Sequence, residues 1–251
     1  MRGDDAANDR HPHRYSAKRL EDALEWLAAR PGTIGRICDL GCGTGTALAS
    51  LATSNPEAAL IGVDVSDAAL SEAEQAADCT TVRASVLAPD LGDRVGGPCD
   101  AVLLAAVVHH VIGPTRRASR SAATAAIRNA LSLLAPDGAL IVVEPTFGPA
   151  WAMTLVFWVK RCVGALTTRR VELGRWNNLG APVVSYYGAD EVAEMIGRAG
   201  GRVVEAIHRP LPVRRLPRLL GVAVRHESTY VVRPGPPLRE APGRTGRSRR
   251  R

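Results

Sequence analysis

Nothing in the sequence constrains the fold more than Ile37-Cys38-Asp39-Leu40-Gly41-Cys42-Gly43-Thr44-Gly45. A short apolar strand runs directly into glycines at every second position, and a helix-forming stretch, 46–53, follows. Glycines in such a loop let the backbone turn sharply and approach a ligand without Cβ clashes, while the helix N-terminus offers free N–H groups. The register is G-x-G-x-G, whereas dinucleotide enzymes favour G-x-G-x-x-G, and Thr46 stands where that last glycine would be needed. Asp39, just ahead of the loop, would repel a pyrophosphate but can pair with an ammonium group. The expected ligand is therefore non-phosphorylated and carries a cation.

Asp64 closes the next apolar run, 19 positions after Gly45. A carboxylate at such a strand end accepts hydrogen bonds from both ribose hydroxyls, which implies a nucleoside. The alternative is that Asp64 only caps the helix starting near Ser66. The glycine loop at its spacing favours the first reading.

Around these motifs, short β-branched runs at 35–40, 60–63, 80–83, 101–105 and 139–143 alternate with helical stretches at 46–53, 66–77 and 119–134. That rhythm belongs to a parallel sheet covered on both faces. Ser66 and Asp67 offer capping side chains, and Ala135-Pro136-Asp137-Gly138 reads as the turn ending a helix. Ahead of the sheet, Leu20, Leu24 and Leu27 give residues 15–29 one apolar helical face, ended by Pro31-Gly32. Beyond Glu144-Pro145 the rhythm breaks and resumes at Gly188 with a helix over 189–199, so 147–187 reads as an insertion. A strand over 202–208 and a last one around 229–232 complete the pattern. Residues 1–233 are expected to form one domain, and 234–251, rich in proline, glycine and arginine, a disordered tail.

The formal charge of +7 invites a nucleic-acid reading, but its location argues otherwise. From Arg233 to Arg251 there are seven arginines and one acid, Glu240, so the body before them is close to neutral. It lacks the broad basic face that displaces counterions from phosphates, and no nucleic-acid partner is expected. The five cysteines are scattered and include no C-x-x-C pair or Cys/His set, which fits reduced thiols in a cytoplasm and no metal site. The polar stretch 1–14 has no apolar core of a secretory signal. The most apolar stretch, 150–166, is interrupted by Lys160 and Arg161 and falls short of the roughly 20 residues a spanning helix needs, so stable membrane insertion is not expected. Nothing in the sequence sets an oligomeric state.

On the glycine loop, Asp64 and the segments after the third and fourth strands, the chain resembles the class I S-adenosylmethionine-dependent methyltransferases, especially their small-molecule branch. The likeness covers roughly 35–144 and, more loosely, 185–208. It implies an α/β Rossmann-like three-layer sandwich with a mostly parallel seven-stranded sheet, last strands antiparallel; the inserted segment 147–187 reads as a lid. It implies S-adenosylmethionine as cofactor, with Asp39, Gly41, Gly43 and Gly45 on the methionine side, Asp64 on the ribose and Val65 beside adenine. The segment from Cys99 to His110 resembles the family's fourth-strand motif, in which carbonyls near Ala105 hold the cofactor amine. Leu134 to Leu140 resembles the turn into its fifth strand. One departure is Ala84-Ser85-Val86, where the family commonly has Gly-Asp-Ala, so adenine would be met by Ser85 and by the backbone at Val86.

On the acceptor side, His109 and His110 follow the fourth strand at the carboxyl edge of the sheet, where ligands bind in doubly wound folds. Either is suited to general-base work near neutral pH, and either suits helix capping or packing beneath the cofactor. Glu144 is expected to end the fifth strand, where contact with substrate, helix capping and a purely structural role are the alternatives. Tyr15, Tyr186 and Tyr187 are candidate pocket walls. Trp151, Phe157, Trp158 and Trp176 concentrate aromatics in the insertion, which suggests an apolar substrate pocket or lid, ordinary core, or a membrane-surface helix. The expected reaction is methyl transfer to an oxygen, nitrogen or carbon of a moderately apolar small molecule. The rivals are an S-adenosylmethionine-binding cyclase, scaffold or regulator, and an RNA methyltransferase. Against the last, the chain has no Asn/Asp-Pro-Pro-Tyr segment.

Overall fold

The structure is a computed structural model that describes residues 17–166, 171–173, 176–179, 183–213, 218–219 and 221–236. A 3-10 turn (Ala17–Leu20) leads into α1 (Glu21–Ala29). The βα series follows as β1 (Arg36–Leu40), α2 (Thr46–Ser54), β2 (Ala59–Asp64), α3 (Asp67–Ala76), β3 (Thr80–Arg83), α4 (Leu91–Val95) and β4 (Cys99–Ala105). A second 3-10 turn (Val108–His110) precedes α5 (Arg116–Ser132), β5 (Leu134–Gly148) and α6 (Ala150–Leu166). The chain continues through β6 (Val171–Leu173), β7 (Trp176–Leu179), α7 (Ala189–Ala199), β8 (Gly201–Pro210) and β9 (Val224–Pro234).

Seven strands form one sheet in the order β3-β2-β1-β4-β5-β9-β8, and β6 and β7 make a separate antiparallel pair. Pairings from β3 to β5 are parallel, and β9 runs antiparallel to both neighbours. Successive residues of the central strands serve opposite cores. Ile37, Ala101, Leu103, Ile141 and Val143 pack with α1, α2 and α3, whereas Cys38, Leu40, Val102, Leu104, Leu140 and Val142 pack with α4, α5 and α7. A strand buried on both faces has no polar face to show, which is why these strands read as continuous apolar runs. Helix starts follow local capping: Ser66 Oγ accepts from the Ala69 N–H at 3.2 Å and Thr115 Oγ1 from Ala118 at 3.1 Å. Arg116 ties α5 to α7 through a two-pronged pair with Glu191.

Several boundaries depart from the sequence reading. The strand read at 139–143 spans Leu134–Gly148, and the one read at 229–232 spans Val224–Pro234, because the two zip together from Leu140↔Val232 to Gly148↔Val224. Glu144 consequently lies within β5, not at its end. Ala135-Pro136-Asp137-Gly138 is not a stop between elements. It bulges out of β5, between the pairs Cys99↔Leu134 and Ala101↔Ala139. Helix α5 begins at Arg116, three residues earlier than read, since Thr115 supplies the cap. The turn at 108–110 and α4 were not read at all. Pro234, read as the first tail residue, pairs with Gly201, and the Gly235 N–H donates to the Gly200 carbonyl at 2.7 Å. Within 147–187 the chain forms α6 and the β6–β7 pair. Among the described residues, no helix is long and apolar enough to cross a membrane, and no His/Cys/Asp/Glu group could hold a metal.

Candidate cofactor and acceptor site

The glycine loop sits at the carboxyl edge of the sheet, where β1 and β2 end. The N–H groups of Gly41 and Cys42 both donate to the Val63 carbonyl, at 2.7 and 3.0 Å. All three loop glycines have left-handed φ, at +78°, +52° and +80°. Their surroundings differ. A Cβ on Gly41 would fall 2.5 Å from Val107 Cγ2, and one on Gly45 2.7 Å from the Ala73 backbone, so these two let the β4 loop and α3 close in. A Cβ on Gly43 would meet nothing within 4 Å, so this glycine faces open space. Helix α2 starts from Gly45 without a side-chain cap, which leaves its first N–H groups turned toward the loop.

Two carboxylates flank that space. Asp64 accepts from the Gly43 N–H through Oδ2 and from the Ser66 N–H through Oδ1, both at 3.0 Å. It thus pins the loop to the head of α3, whose cap is Ser66 and not Asp64, and each oxygen keeps a further lone pair. Asp39 lies buried in mid-sheet, between Gly62 and Leu103, and its Oδ2 has no hydrogen-bond partner. Burial, reinforced by the negative charge of Asp64, pushes its carboxyl up to about 7. A buried acid of this kind is stabilised by a cation brought beside it. At the far side of the crevice, Ala105 ends β4, and Ala106 has φ +57°, held by its N–H bond to Val143 O at 2.7 Å. An alanine in the left-handed region costs roughly 1–2 kcal/mol, and such residues cluster at binding sites. Val65 and Val86 are half-buried. Ser85 Oγ accepts from Leu87 N–H at 3.2 Å, and the Val86 carbonyl accepts from Asn129 at 3.0 Å.

Beyond Ala106 the 3-10 turn carries the two histidines. Glu144, buried in β5, accepts from the Val108 N–H through Oε1 at 2.6 Å and places Oε2 2.7 Å from His109 Nδ1. Its carboxyl is pushed up to about 8 by burial, against the lowering effect of backbone N–H donors at Val108, Val107 and His109. Neither histidine caps a helix, because α5 takes Thr115. His109 is buried, its ring stacked on Tyr186 at 5.3 Å and 4.2 Å from that of half-buried His110. Tyr186 also packs on Phe147 at 4.6 Å, and the Ser185 N–H donates to His109 O at 2.9 Å.

The structure therefore brings His109, His110, Glu144 and Tyr186 together. Tyr187 instead points into the core, 2% exposed, with an Arg116 guanidinium 5.4 Å from its ring and its hydroxyl pushed up to about 12 by burial. Trp151 and Trp158 are 62% and 45% exposed on the outer side of α6, so neither is core and neither joins the histidine cluster. Tyr15 lies outside the described residues. Sequence reasoning missed Ala106 and Val107, two ordinary apolar residues whose role appears only in backbone geometry. It also missed Phe147, which marked the edge of the insertion but gave no sign of packing on Tyr186.

Residues 38–140 match the family described as "Methyltransferase domain". The ribosomal RNA small subunit methyltransferase C of Actinobacillus succinogenes is 31% identical over 140 residues, 55% of this chain and 41% of that protein. Trans-aconitate 2-methyltransferase of Escherichia coli is 39% identical over 74 residues, 29% of each chain. The chain thus spans well under half the length of the curated relatives it matches. Among solved structures, magnesium protoporphyrin IX methyltransferase from Synechocystis, with bound S-adenosylhomocysteine, superposes with a TM-score of 0.54 at 20% identity, covering 86% of this chain and 82% of that one. Residues 38–140 thus match a methyltransferase domain, in a chain with the fold of the class I S-adenosylmethionine-dependent methyltransferases.

Proposed function

We propose that the chain binds S-adenosylmethionine and transfers its methyl group to an oxygen, nitrogen or carbon of a moderately apolar small molecule. The observation that carries this reading is the pairing of an open glycine cradle at Gly43 with the orphaned, buried Oδ2 of Asp39. Those features fit a cationic, non-phosphorylated nucleoside. Asp39 would face the cation, Asp64 the ribose hydroxyls, Val65 and Val86 the adenine with Ser85 beside them, and the Ala105 carbonyl the amine. When bound, the cofactor supplies a methyl group already activated by its positive sulfur, so the protein's task is mainly alignment.

On the acceptor side, Glu144 fixes the His109 ring through Nδ1, and Tyr186 holds its plane. Nε2, the ring nitrogen turned away from Glu144, is the one that would take a proton from an acceptor hydroxyl or amine. His109 is the base in this reading, Glu144 its positioning residue, and His110 a neighbour in the acceptor wall. The lid reading for 147–187 is kept only for its inward face, Phe147, Met153 and Val156, which packs beside Tyr186. The test is incubation of the full chain with S-adenosylmethionine and a panel of apolar hydroxylated, carboxylated and amino acceptors. Formation of S-adenosylhomocysteine together with a methylated product supports the reading. Tight cofactor binding without turnover on any acceptor favours a scaffold or regulator.

A second reading, methylation of RNA, is favoured by the ribosomal RNA methyltransferases among the relatives. Steeply salt-dependent binding of ribosomal RNA, with methyl transfer to it, would support that reading.

A further inference from the structure

Helix α6 is apolar all round: Lys160 and Arg161 are its only charged residues in 17 positions. A helix of that kind is normally buried on every side. Among the described residues, only one side of it is covered. Ala152, Met153, Val156, Phe157 and Lys160 are buried, whereas Trp151, Leu155, Trp158 and Cys162 are exposed, Leu155 by 45%. Their spacing of four, three and four residues puts them in one outward stripe. The stripe continues onto the chain beside it. The Trp151 indole lies against the backbone at Gly221, Leu219 is exposed, and Val224, also exposed, pairs with Gly148 at the foot of α6.

The two segments that carry these side chains are strongly basic. Residues 149–182 and 211–225 together hold nine lysines and arginines and one acid, Glu172, in a chain whose formal charge is +7 overall. With the basic stretch 233–251 also set aside, the remainder of the chain is acidic. Aromatic and aliphatic side chains on a helix, flanked by basic residues, form the pattern of a helix lying in a membrane interface and attracted by anionic lipid. A second copy of the chain fits less well, since a contact through this face would bring Arg218 and Arg225, which flank the stripe, against their counterparts. RNA would meet the charge but would gain little from a stripe that includes Leu155.

We propose that the outer face of α6, with the neighbouring 218–225 segment, is a docking surface for an anionic lipid bilayer. The helix lies along the interface, with Trp151, Leu155 and Trp158 inserted among the acyl chains and the described arginines beside them, Arg218 and Arg225, at headgroup level. The inference stands independently of methyl transfer.

The test is flotation of the full chain with vesicles of phosphatidylglycerol and phosphatidylcholine in equal parts, read together with quenching of tryptophan emission by brominated acyl chains. The expected result is partition to these vesicles, at least ~10-fold weaker for pure phosphatidylcholine and at about 0.5 M salt, where charge is screened. The variant Trp151→Gln/Leu155→Gln/Trp158→Gln is expected to lose at least ~10-fold of the partition while keeping its melting temperature. Should the triple variant fold poorly, Trp151→Gln alone, at the most exposed position, is expected to lose part of the partition and of the quenching. Absence of partition by the unaltered chain overturns the proposal. So does partition without quenching that persists in the variants, or a dimer of the unaltered chain that the triple variant dissolves.

Discussion

His109 Nδ1 lies 2.7 Å from Glu144 Oε2, and both side chains are buried. The other Glu144 oxygen accepts from the Val108 N–H, so both oxygens are engaged within the protein. It holds the turn and the imidazole instead. Burial pushes Glu144 up to about 8, so the expectation at neutral pH is a proton held by the carboxyl and shared with His109 Nδ1. Above that value the carboxylate accepts from Nδ1–H and Nε2 becomes the basic nitrogen. Methyl transfer to a hydroxyl acceptor is expected to rise with pH to a plateau with an apparent pKa near 8, a property of the pair. Glu144→Gln is expected to lower kcat roughly tenfold or more and to abolish that rise, with little change in cofactor affinity. A pH–rate profile unchanged in the variant contradicts the pairing.

The two histidines are expected to separate cleanly. His109→Ala should cost roughly a hundredfold or more in kcat, the usual loss for a general base. His110→Ala should cost much less and act mainly on the acceptor KM. Cofactor titration and thermal melts of each variant exclude unfolding as the cause. Full activity of His109→Ala across pH would leave catalysis to alignment alone.

Asp39 carries a pH dependence of stability whose sign is fixed by its direction of shift. Its folded carboxyl titrates at about 7 and its unfolded one near 3.8, so between those values the folded state holds the extra proton. Stability should therefore fall as pH rises from about 4 to 7. Asp39→Asn should flatten that fall, stabilise the cofactor-free protein at neutral pH and weaken cofactor binding. Urea melts across this range, with and without S-adenosylmethionine, measure both effects. A variant that is less stable at pH 7 than the parent contradicts the assignment.

The glycines offer a test of packing against binding. Gly41→Ala places a methyl 2.5 Å from Val107 Cγ2 at φ +78°, and should destabilise the fold by about 2–4 kcal/mol. Gly43→Ala meets open space, so only its backbone cost of about 1–2 kcal/mol remains, and its main effect should be weaker cofactor binding. Melting temperatures and titrations separate the two. Equal loss of stability in both would mean that Gly43 serves the fold alone.

The parts of the fold legible in sequence were those set by local rules. The strand–loop–helix at 37–46, the Ser66 cap, and α7 at Ala189–Ala199 follow from apolar runs, glycine positions and capping residues. The length of β5 did not, since its last five residues, 144–148, lie beyond the pairing with β4 and are held by β9, some 80 residues away in sequence. The same limit applies to the site. Asp39 and Asp64 announced themselves by position, whereas the engagement of Glu144 with His109 and the stacking of Tyr186 on that ring depend on tertiary approach. The tryptophans of α6 were ambiguous for a related reason: a helix apolar on all sides gives no periodicity from which to tell its covered face.

The most direct measurement is calorimetric titration of S-adenosylmethionine into the full chain and into Asp64→Ala, with Asp64→Asn as the milder variant. Binding to the parent is expected, weakened in Asp64→Ala by about 1.5–3 kcal/mol as charge-assisted bonds to the ribose and the tether to Gly43 are lost together. Asp64→Asn, which keeps one carbonyl oxygen, should fall between the two. No binding by the parent, or an unchanged affinity in a folded Asp64→Ala variant, would contradict the assignment of the glycine loop and Asp64 to one shared ligand.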